Sequence, residues 1–237
     1  MGENSNRFAG VRVLIFDLDG TLIDSKRDLA LSVNAVRAHC GLGPLDPEQI
    51  YSYVGNGAPT LVRRALGEGV GEKDAEDALA YFLSYYREHM LDNTVPYPGV
   101  REGLGMLSDR GMAVLTNKPV KFSRAILQGL DLLRYFRHVY GGNSFERKKP
   151  DPMGVEALLR EFGAAPREAM IVGDSEVDMI TARNAGTLAC GVTYGLGSAR
   201  LPELSPDLLL DSLIELHSHL SPIAQEKSRR GGGLSDF

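Results

Sequence analysis

The stretch that decides the fold runs from Val13 to Thr21 and reads VLIFDLDGT. Its first four residues are all apolar, and a polar turn with two aspartates, Asp17 and Asp19, follows them directly. Unbroken rather than alternating apolar character is typical of a strand that is buried on both faces of a sheet. The sequence therefore predicts a buried strand whose carboxyl end carries two carboxylates.

Short apolar runs of the same kind recur along the chain, and segments with helical spacing lie between them. One such segment has Phe122, Ile126 and Leu130 on one face of a predicted helix. Strands that alternate with helices predict an α/β fold, here a Rossmann-like parallel sheet core with helices on both faces. The runs predicted as further strands are Met112–Leu115, Met170–Val172, Leu188–Val192 and Leu208–Leu210.

Residues 24–95 differ from the rest of the chain because they lack strand-like runs. Apolar residues at helical spacing, such as Ala78 and Phe82, predict about four helices in this segment. The turn-forming sequence PYPG at residues 96–99 would mark the return to the sheet. The predicted division is an α/β core (residues 1–23 and 96–221), an inserted α-helical cap domain (24–95) and a flexible tail (222–237).

Composition limits the class of protein. The 237 residues are 43% apolar and 24% charged, which is ordinary for a soluble globular protein and excludes a disordered, collagen-like or membrane-embedded chain. The net charge of −5 gives no general attraction to nucleic acid. Cys40 and Cys190 form no disulfide framework and no signal peptide is recognisable, so we predict a cytoplasmic protein with neither nucleic acid nor membrane as partner. The sequence leaves the oligomeric state open.

Three predicted strands end in polar loops, and the ligands of open parallel sheets bind beyond the carboxyl ends of the strands. These loops carry Asp17 and Asp19, then Thr116 and Asn117, then Asp174. Carboxylates that are packed together repel each other unless a cation lies among them, and hard oxygen ligands suit Mg²⁺. Each loop taken alone could be no more than a turn or a helix cap. Their occurrence at successive strand ends favours one shared site.

Four ordered segments resemble the motifs of the haloacid-dehalogenase-like hydrolases. The resemblance extends from about Val11 to Leu216, and four motifs in the same order are far more specific than any one of them. Residues 54–58 (VGNGA) also resemble a cap loop of the phosphoglycolate phosphatase subgroup of that family. The four segments are residues 16–22 (FDLDGTL), 115–117 (LTN), 149–152 (KPDP) and 173–178 (GDSEVD).

The resemblance implies hydrolysis of a phosphate monoester through an aspartyl-phosphate intermediate. In that reaction Asp17 would be the nucleophile, and Asp19 would act as general acid and then as general base. Mg²⁺ would be held by Asp17, the backbone carbonyl of Asp19 and Asp174. Of two adjacent lysines, Lys148 and Lys149, the following proline favours Lys149 as the one in the site.

Other residues are expected to bind the phosphate or the rest of the substrate. Thr116 and Lys149 would bind the phosphoryl oxygens, and Asp178 would orient Lys149 or a metal-bound water. In the cap, Arg63 or Arg64 could face the cleft or could equally be ordinary exposed arginines. The residues expected to contact the substrate are Asn117, Asn56 and Gly57.

The expected substrate is a small phosphorylated metabolite, with 2-phosphoglycolate as the first choice. A phosphosugar mutase or a pyrophosphatase of the same family are alternatives. Asp19 disfavours a dehalogenase, because that reaction has no alkoxide that needs a proton. A catalytically silent binding protein is the non-enzyme alternative, and it would predict a broken motif, whereas all four motifs are intact.

Overall fold

The computed structural model describes residues 7–220, so the predicted tail at residues 222–237 lies outside the described residues. Six strands form one sheet in which every neighbouring pair is parallel, and two short strands form a separate antiparallel pair. The strands are β1 (Val13–Phe16), β2 (Ile23–Asp24), β3 (Val95–Pro96), β4 (Gly111–Leu115), β5 (His138–Tyr140), β6 (Ala169–Gly173), β7 (Leu188–Val192) and β8 (Leu208–Leu210). The order in the large sheet is β5-β4-β1-β6-β7-β8.

β1 lies in the interior of the sheet, and its side chains enter two separate hydrophobic cores. Leu14 and Phe16 belong to the larger core, whereas Val13 and Ile15 belong to the smaller one. Successive side chains of a strand point to opposite faces, so a strand that is covered on both faces needs apolar residues at every position. This explains the unbroken apolar run and confirms the predicted α/β fold class.

Within the six-stranded sheet, β5 is the strand that the apolar-run pattern does not predict. It has only three residues, and Val139 is buried while His138 and Tyr140 are half-buried. β5 lies at the edge of the sheet next to β4, where one side of the strand has no neighbour. A short edge strand with two polar aromatic residues carries no continuous apolar signal.

The helices fall into two groups along the chain. α1 to α4 lie between β2 and β3 and are called the inserted helices below, whereas α5 to α9 belong to the remainder of the chain. The inserted helices are α1 (Lys26–His39), α2 (Pro47–Tyr51), α3 (Ala58–Leu66) and α4 (Glu72–His89). The others are α5 (Val100–Met106), α6 (Val120–Gly129), α7 (Met153–Phe162), α8 (Glu176–Ala185) and α9 (Leu216–His219).

The two ends of the inserted segment are tied together where they meet the sheet. β2 pairs with β3, and Asp24 lies opposite Val95. Just beyond this pair, the buried carboxylate of Asp28 accepts hydrogen bonds from the backbone N–H groups of Asn93 (3.0 Å) and Thr94 (2.8 Å). The chain therefore enters and leaves the inserted helices through one narrow, hydrogen-bonded connection.

Within residues 7–220, no helix has both the length and the apolar character that a membrane crossing requires.

Candidate active site

The carboxyl ends of β1 and β6 bring acidic side chains to one edge of the sheet. Phe16 of β1 lies beside Val172 of β6, so the residues that follow leave the sheet at a similar level. Oxygens of Asp17, Asp174 and Asp178 lie within 4.8 Å of one another, and all three residues are buried. The structure thus brings Asp17 and Asp174 close enough to share one cation.

Asp174 is held from several sides. Its Oδ1 accepts a hydrogen bond from the Thr21 hydroxyl (2.9 Å), and its Oδ2 accepts one from the Gly197 N–H (2.9 Å). Gly20 has a φ of +84°, and a Cβ at this position would lie 2.2 Å from the Asp174 Oδ2 atom, so only glycine fits. Burial, reinforced by the two neighbouring carboxylates, raises the pKa of Asp174 to about 7.

Asp17 and Asp178 share one buried lysine. The Lys149 Nζ lies 3.0 Å from Asp17 Oδ1 and 2.6 Å from Asp178 Oδ1. Asp17 Oδ1 also accepts a hydrogen bond from the Leu18 N–H (2.7 Å), and Asp178 Oδ2 accepts one from the Ser175 hydroxyl (2.6 Å). Asp178 therefore holds Lys149 with one oxygen and caps the start of α8 with the other.

The pKa values of Asp17 and Lys149 reflect two opposing effects, burial and charge pairing. Burial raises the pKa of Asp17 to about 6, although Lys149 works in the opposite direction. Burial alone would lower the pKa of Lys149, but Asp17 and Asp178 more than offset it, and the pKa is raised above its usual value. Lys149 therefore stays charged, whereas burial disfavours the charged form of the Asp17 carboxylate.

The donor set fits a hard divalent cation such as Mg²⁺. Three buried carboxylates lie beside one ammonium group, so the positive charge of Lys149 does not balance their negative charges. Asp178 has the shorter contact to the Lys149 ammonium, whereas Asp174 accepts hydrogen bonds only from the neutral Thr21 hydroxyl and Gly197 N–H. Asp174, together with the neighbouring Asp17, is therefore the better pair to hold a cation. Oxygen ligands of this type are those that Mg²⁺ prefers. The participation of the Asp19 carbonyl stays a prediction.

The Asp19 side chain points to a second lysine. The Lys118 Nζ lies 3.0 Å from Asp19 Oδ1 and 3.1 Å from Oδ2, and the Ser25 hydroxyl donates to Oδ1 (2.5 Å). Lys118 also lies over the ring of Tyr86 in α4, at 4.6 Å from the ring centroid. Burial would lower the pKa of Lys118, but Asp19 and Tyr86 more than offset it and the pKa is raised. Asp19 therefore lies in contact with both the sheet loop and the connection to the inserted helices.

A cavity of about 50 Å³ lies beside Asp17 and Asp19, between the sheet and the inserted helices. Of the residues expected to bind the substrate, Thr116, Asn117 and Gly57 also line it, whereas Asn56 is not among its described lining residues. Its volume corresponds to a few water molecules. The apolar part of the wall is formed mainly by Leu29, Val54, Leu61, Phe82 and Phe122.

The loop between α2 and α3 is hydrogen-bonded to the sheet side of the cavity. The Asn117 side chain donates to the carbonyls of Gly55 (3.0 Å) and Lys149 (3.1 Å). The exposed Lys148 donates to the carbonyl of Asn56 (2.6 Å). We call these bonds to Gly55 and Asn56 the loop contacts. Lys148 and Lys149, although adjacent, thus have different surroundings, and Lys149 is the one beside Asp17.

The two arginines suggested for the cleft lie elsewhere. Arg63 is exposed and forms an ion pair with Glu72 (2.8 Å). Arg63 and Arg64 line a different groove, together with Gly67 and Val70. The alternative of ordinary exposed arginines therefore describes them better.

Sequence reasoning missed the partners of Asp19. Lys118 directly follows Thr116 and Asn117 at a predicted strand end, and this position is the signal that could have identified it. Tyr86 gave no such signal, because an aromatic residue on an amphipathic helix is ordinarily part of the core. Its contact with Lys118 exists only once α4 is packed against the sheet.

Comparison with known proteins agrees with this arrangement. The haloacid dehalogenase-like hydrolase family matches residues 14–192. The chain is 40% identical over 214 residues to phosphoglycolate phosphatase 1 of Pseudomonas aeruginosa, covering 86% of this chain and 78% of that one. It is also 40% identical over 213 residues to a phosphoglycolate phosphatase of Chromobacterium violaceum, covering 87% of this chain and 95% of that one.

A solved structure supports the same assignment. The crystal structure of a predicted phosphoglycolate phosphatase from Haemophilus somnus superimposes with a TM-score of 0.84 at 31% identity, covering 88% of this chain and 97% of the other. The residues that match the family, 14–192, include the strand ends that carry Asp17, Thr116 and Asp174. The chain belongs to the haloacid dehalogenase-like hydrolase family.

Proposed function

We propose that this protein hydrolyses a small phosphate monoester, with 2-phosphoglycolate as the first choice, through a phosphorylated Asp17. The observation that carries the proposal is the setting of Asp17. Its Oδ1 is fixed by Lys149 and by the Leu18 N–H, whereas no residue among 7–220 donates a hydrogen bond to its Oδ2. One carboxylate oxygen is thereby held and the other is left to attack, at the wall of a cavity.

In the first step, Asp17 Oδ2 forms a bond to phosphorus while the bond from phosphorus to the ester oxygen breaks. Asp19 gives its proton to the departing alkoxide. Lys149 and the Thr116 hydroxyl bind the non-bridging oxygens, where negative charge lies in the transition state. Asp178 keeps Lys149 directed at this position through their 2.6 Å contact.

In the second step, Asp19 accepts a proton from a water molecule, and the water oxygen attacks phosphorus. The bond between phosphorus and Asp17 breaks, inorganic phosphate leaves, and both aspartates return to their starting forms. Mg²⁺, held by Asp17 and Asp174, would supply positive charge that offsets the repulsion between the carboxylate and the phosphate.

We propose that the inserted helices act as a cap over this site. The single connection through β2 and β3 supports a hinge there, and the loop contacts to Gly55 and Asn56 support a closed arrangement. A cap that closes over the cavity excludes bulk water and lets its walls contact the leaving group.

The names of the relatives support the choice of substrate. The relatives from Pseudomonas aeruginosa and Chromobacterium violaceum are both named phosphoglycolate phosphatases. For the compartment we propose the cytoplasm, and the two free cysteines, Cys40 and Cys190, support this choice.

The test measures phosphate release from a panel of phosphorylated metabolites, with Mg²⁺ or with EDTA. We expect wild-type protein with Mg²⁺ to hydrolyse 2-phosphoglycolate fastest, and Asp17→Asn to lose at least about 10⁴-fold in kcat with its fold intact. Asp77→Asn, a change of an exposed aspartate in α4, serves as the matched control and keeps full activity. Near-normal turnover by Asp17→Asn would show that the nucleophile is assigned wrongly.

A further inference from the structure

Lys118 occupies a position that the hydrolysis steps leave unexplained. Among the described residues that line the cavity, it is the only one with a positive charge. Its side chain is 5% exposed, so it is not a surface lysine that happens to lie nearby. Burial of an ammonium group is costly, and a protein retains one where it meets a specific partner.

The position of Lys118 relative to Asp19 places it beside the leaving group. In the proposed reaction, the ester oxygen must lie within hydrogen-bond distance of the Asp19 carboxylate. The Lys118 Nζ lies 3.0 and 3.1 Å from the two oxygens of that same carboxylate. An acceptor attached one or two carbons from the ester oxygen can therefore reach hydrogen-bond distance of Nζ.

The surroundings of Lys118 favour an acidic group there. The cavity wall near Lys118 is apolar and includes Leu29, Phe82 and Phe122. Tyr86 presents its ring face to the ammonium. Charge interactions are stronger in such surroundings than in water. Asp19 neutralises part of the charge, and both of its oxygens lie at a similar distance from Nζ. Two oxygens of one carboxylate can share a single N–H, so one of the three N–H donors of the ammonium can turn to an acceptor on the substrate.

We propose that Lys118 binds a carboxylate of the leaving group and thereby selects phosphate monoesters of short hydroxy acids. The inference rests on the proposed function, since it takes phosphate transfer to Asp17 as given. It adds the residue that distinguishes an acidic leaving group from a neutral one of equal size. Lys149 binds the phosphate end of the substrate, and Lys118 binds the other end.

The experiment compares two substrates that differ only in this charge, 2-phosphoglycolate and its amide, phosphoglycolamide. We expect wild-type enzyme to favour the acid by about 100-fold in kcat/KM, because the amide leaves the buried ammonium without its charged acceptor. In Lys118→Met the preference falls to within about threefold. Because the loss of the Asp19 contact slows both substrates alike, the ratio reports recognition rather than catalysis.

Lys121→Met is the matched control, since Lys121 is an exposed lysine of a neighbouring groove and its replacement removes the same charge. We expect it to keep the 100-fold preference. That result would show that the preference depends on a direct contact with Lys118 and not on positive charge in the wider surroundings. Lys118→Arg, which keeps the charge, should retain a preference of at least about tenfold.

The outcomes separate the two proposals. A wild-type enzyme that hydrolyses acid and amide equally well overturns the role of Lys118 without any variant being needed, while the phosphatase function stands. An unchanged preference in Lys118→Met overturns it as well. A wild-type enzyme that hydrolyses neither compound, yet releases phosphate from a different class of ester, contradicts the substrate choice of the proposed function instead.

Discussion

The two ends of the proposed active site, the phosphate end and the leaving-group end, each have a buried lysine beside a carboxylate, but the contacts come from different parts of the molecule. At the phosphate end, Lys149 lies between Asp17 and Asp178, all outside the inserted helices. At the leaving-group end, Lys118 contacts Asp19 and also lies against Tyr86 of α4. The first end is complete within the sheet and its loops, whereas the second is complete only when α4 is in place.

This difference suggests separate roles for the two ends: the phosphate end carries out phosphoryl transfer, whereas the leaving-group end selects the substrate. A parallel sheet fixes its strand ends through a continuous set of backbone hydrogen bonds, so groups placed there are preorganised for one reaction. Groups that meet across a connection of two short strands can change position with a hinge motion. We therefore expect changes at the phosphate end to affect all substrates equally, and changes at the other end to depend on the leaving group.

Among the lysine variants, the largest effect should come from Lys149→Met, at the phosphate end. Loss of the ammonium leaves the phosphoryl oxygens without this donor, and we expect kcat/KM to fall about 10³-fold. Measured with esters of different leaving groups, the loss should be the same within a few-fold.

Lys73→Met, at an exposed lysine of α4, is the control and should keep full activity. If the loss of kcat/KM in Lys149→Met varied strongly with the leaving group, the two ends would not have separate roles.

Asp19→Asn tests the other end. With p-nitrophenyl phosphate, whose leaving group needs no proton, the first step should survive while water activation in the second step fails. We expect a rapid release of about one equivalent of p-nitrophenolate per enzyme, followed by turnover about 10³-fold slower than wild type. Stopped-flow absorbance measures both phases.

An alkyl phosphate should give no such burst, since its alkoxide requires the proton from Asp19. The absence of a burst with p-nitrophenyl phosphate, together with slow turnover, would contradict the assignment of Asp19 to both proton transfers.

The acidic cluster predicts an unusual pH dependence for the metal-free protein. Burial raises the pKa of Asp17 to about 6 and that of Asp174 to about 7, so between about pH 4 and pH 7 the folded protein binds more protons than the unfolded chain. The free energy of unfolding therefore falls as the pH rises through this range. In EDTA, we expect the contribution of these two groups to make Tm lower at pH 8 than at pH 5 by several degrees.

Addition of Mg²⁺ should raise Tm more at pH 8 than at pH 5, because the cation binds the ionised carboxylates. Asp174→Asn should reduce both the pH dependence and the response to Mg²⁺. An equal Mg²⁺ effect at the two pH values in wild-type protein would contradict a metal held by these carboxylates.

The smallest effect concerns the loop contacts. Lys148→Met removes the hydrogen bond to the Asn56 carbonyl but no group of the phosphate end, so we expect KM to rise about threefold and kcat to stay unchanged. Steady-state kinetics with 2-phosphoglycolate measure both constants. A fall in kcat as large as that of Lys149→Met would show that the two adjacent lysines share one role.

Much of the phosphate end was predictable, because its residues follow recognisable strands. The apolar run before Asp17 and the run before Asp174 each predicted a buried parallel strand, and carboxyl ends of such strands meet at one edge. By contrast, β5 was missed because three residues at a sheet edge carry no periodic signal. Lys118 directly follows the predicted loop residues Thr116 and Asn117, yet its partner Tyr86 lies 32 positions earlier on a helix whose pattern indicates only a buried face.

The sequence by itself determined the α/β fold class, the family and the residues that gather at the strand ends, because these depend on local apolar runs and on short motifs. Tertiary structure alone decided which lysine meets which carboxylate, that Asp178 both caps α8 and holds Lys149, and that Lys118 lies between Asp19 and Tyr86. The physical reason is that charge pairing depends on distances of about 3 Å between segments far apart in the chain. Such distances are set by packing, to which no local pattern of residues corresponds.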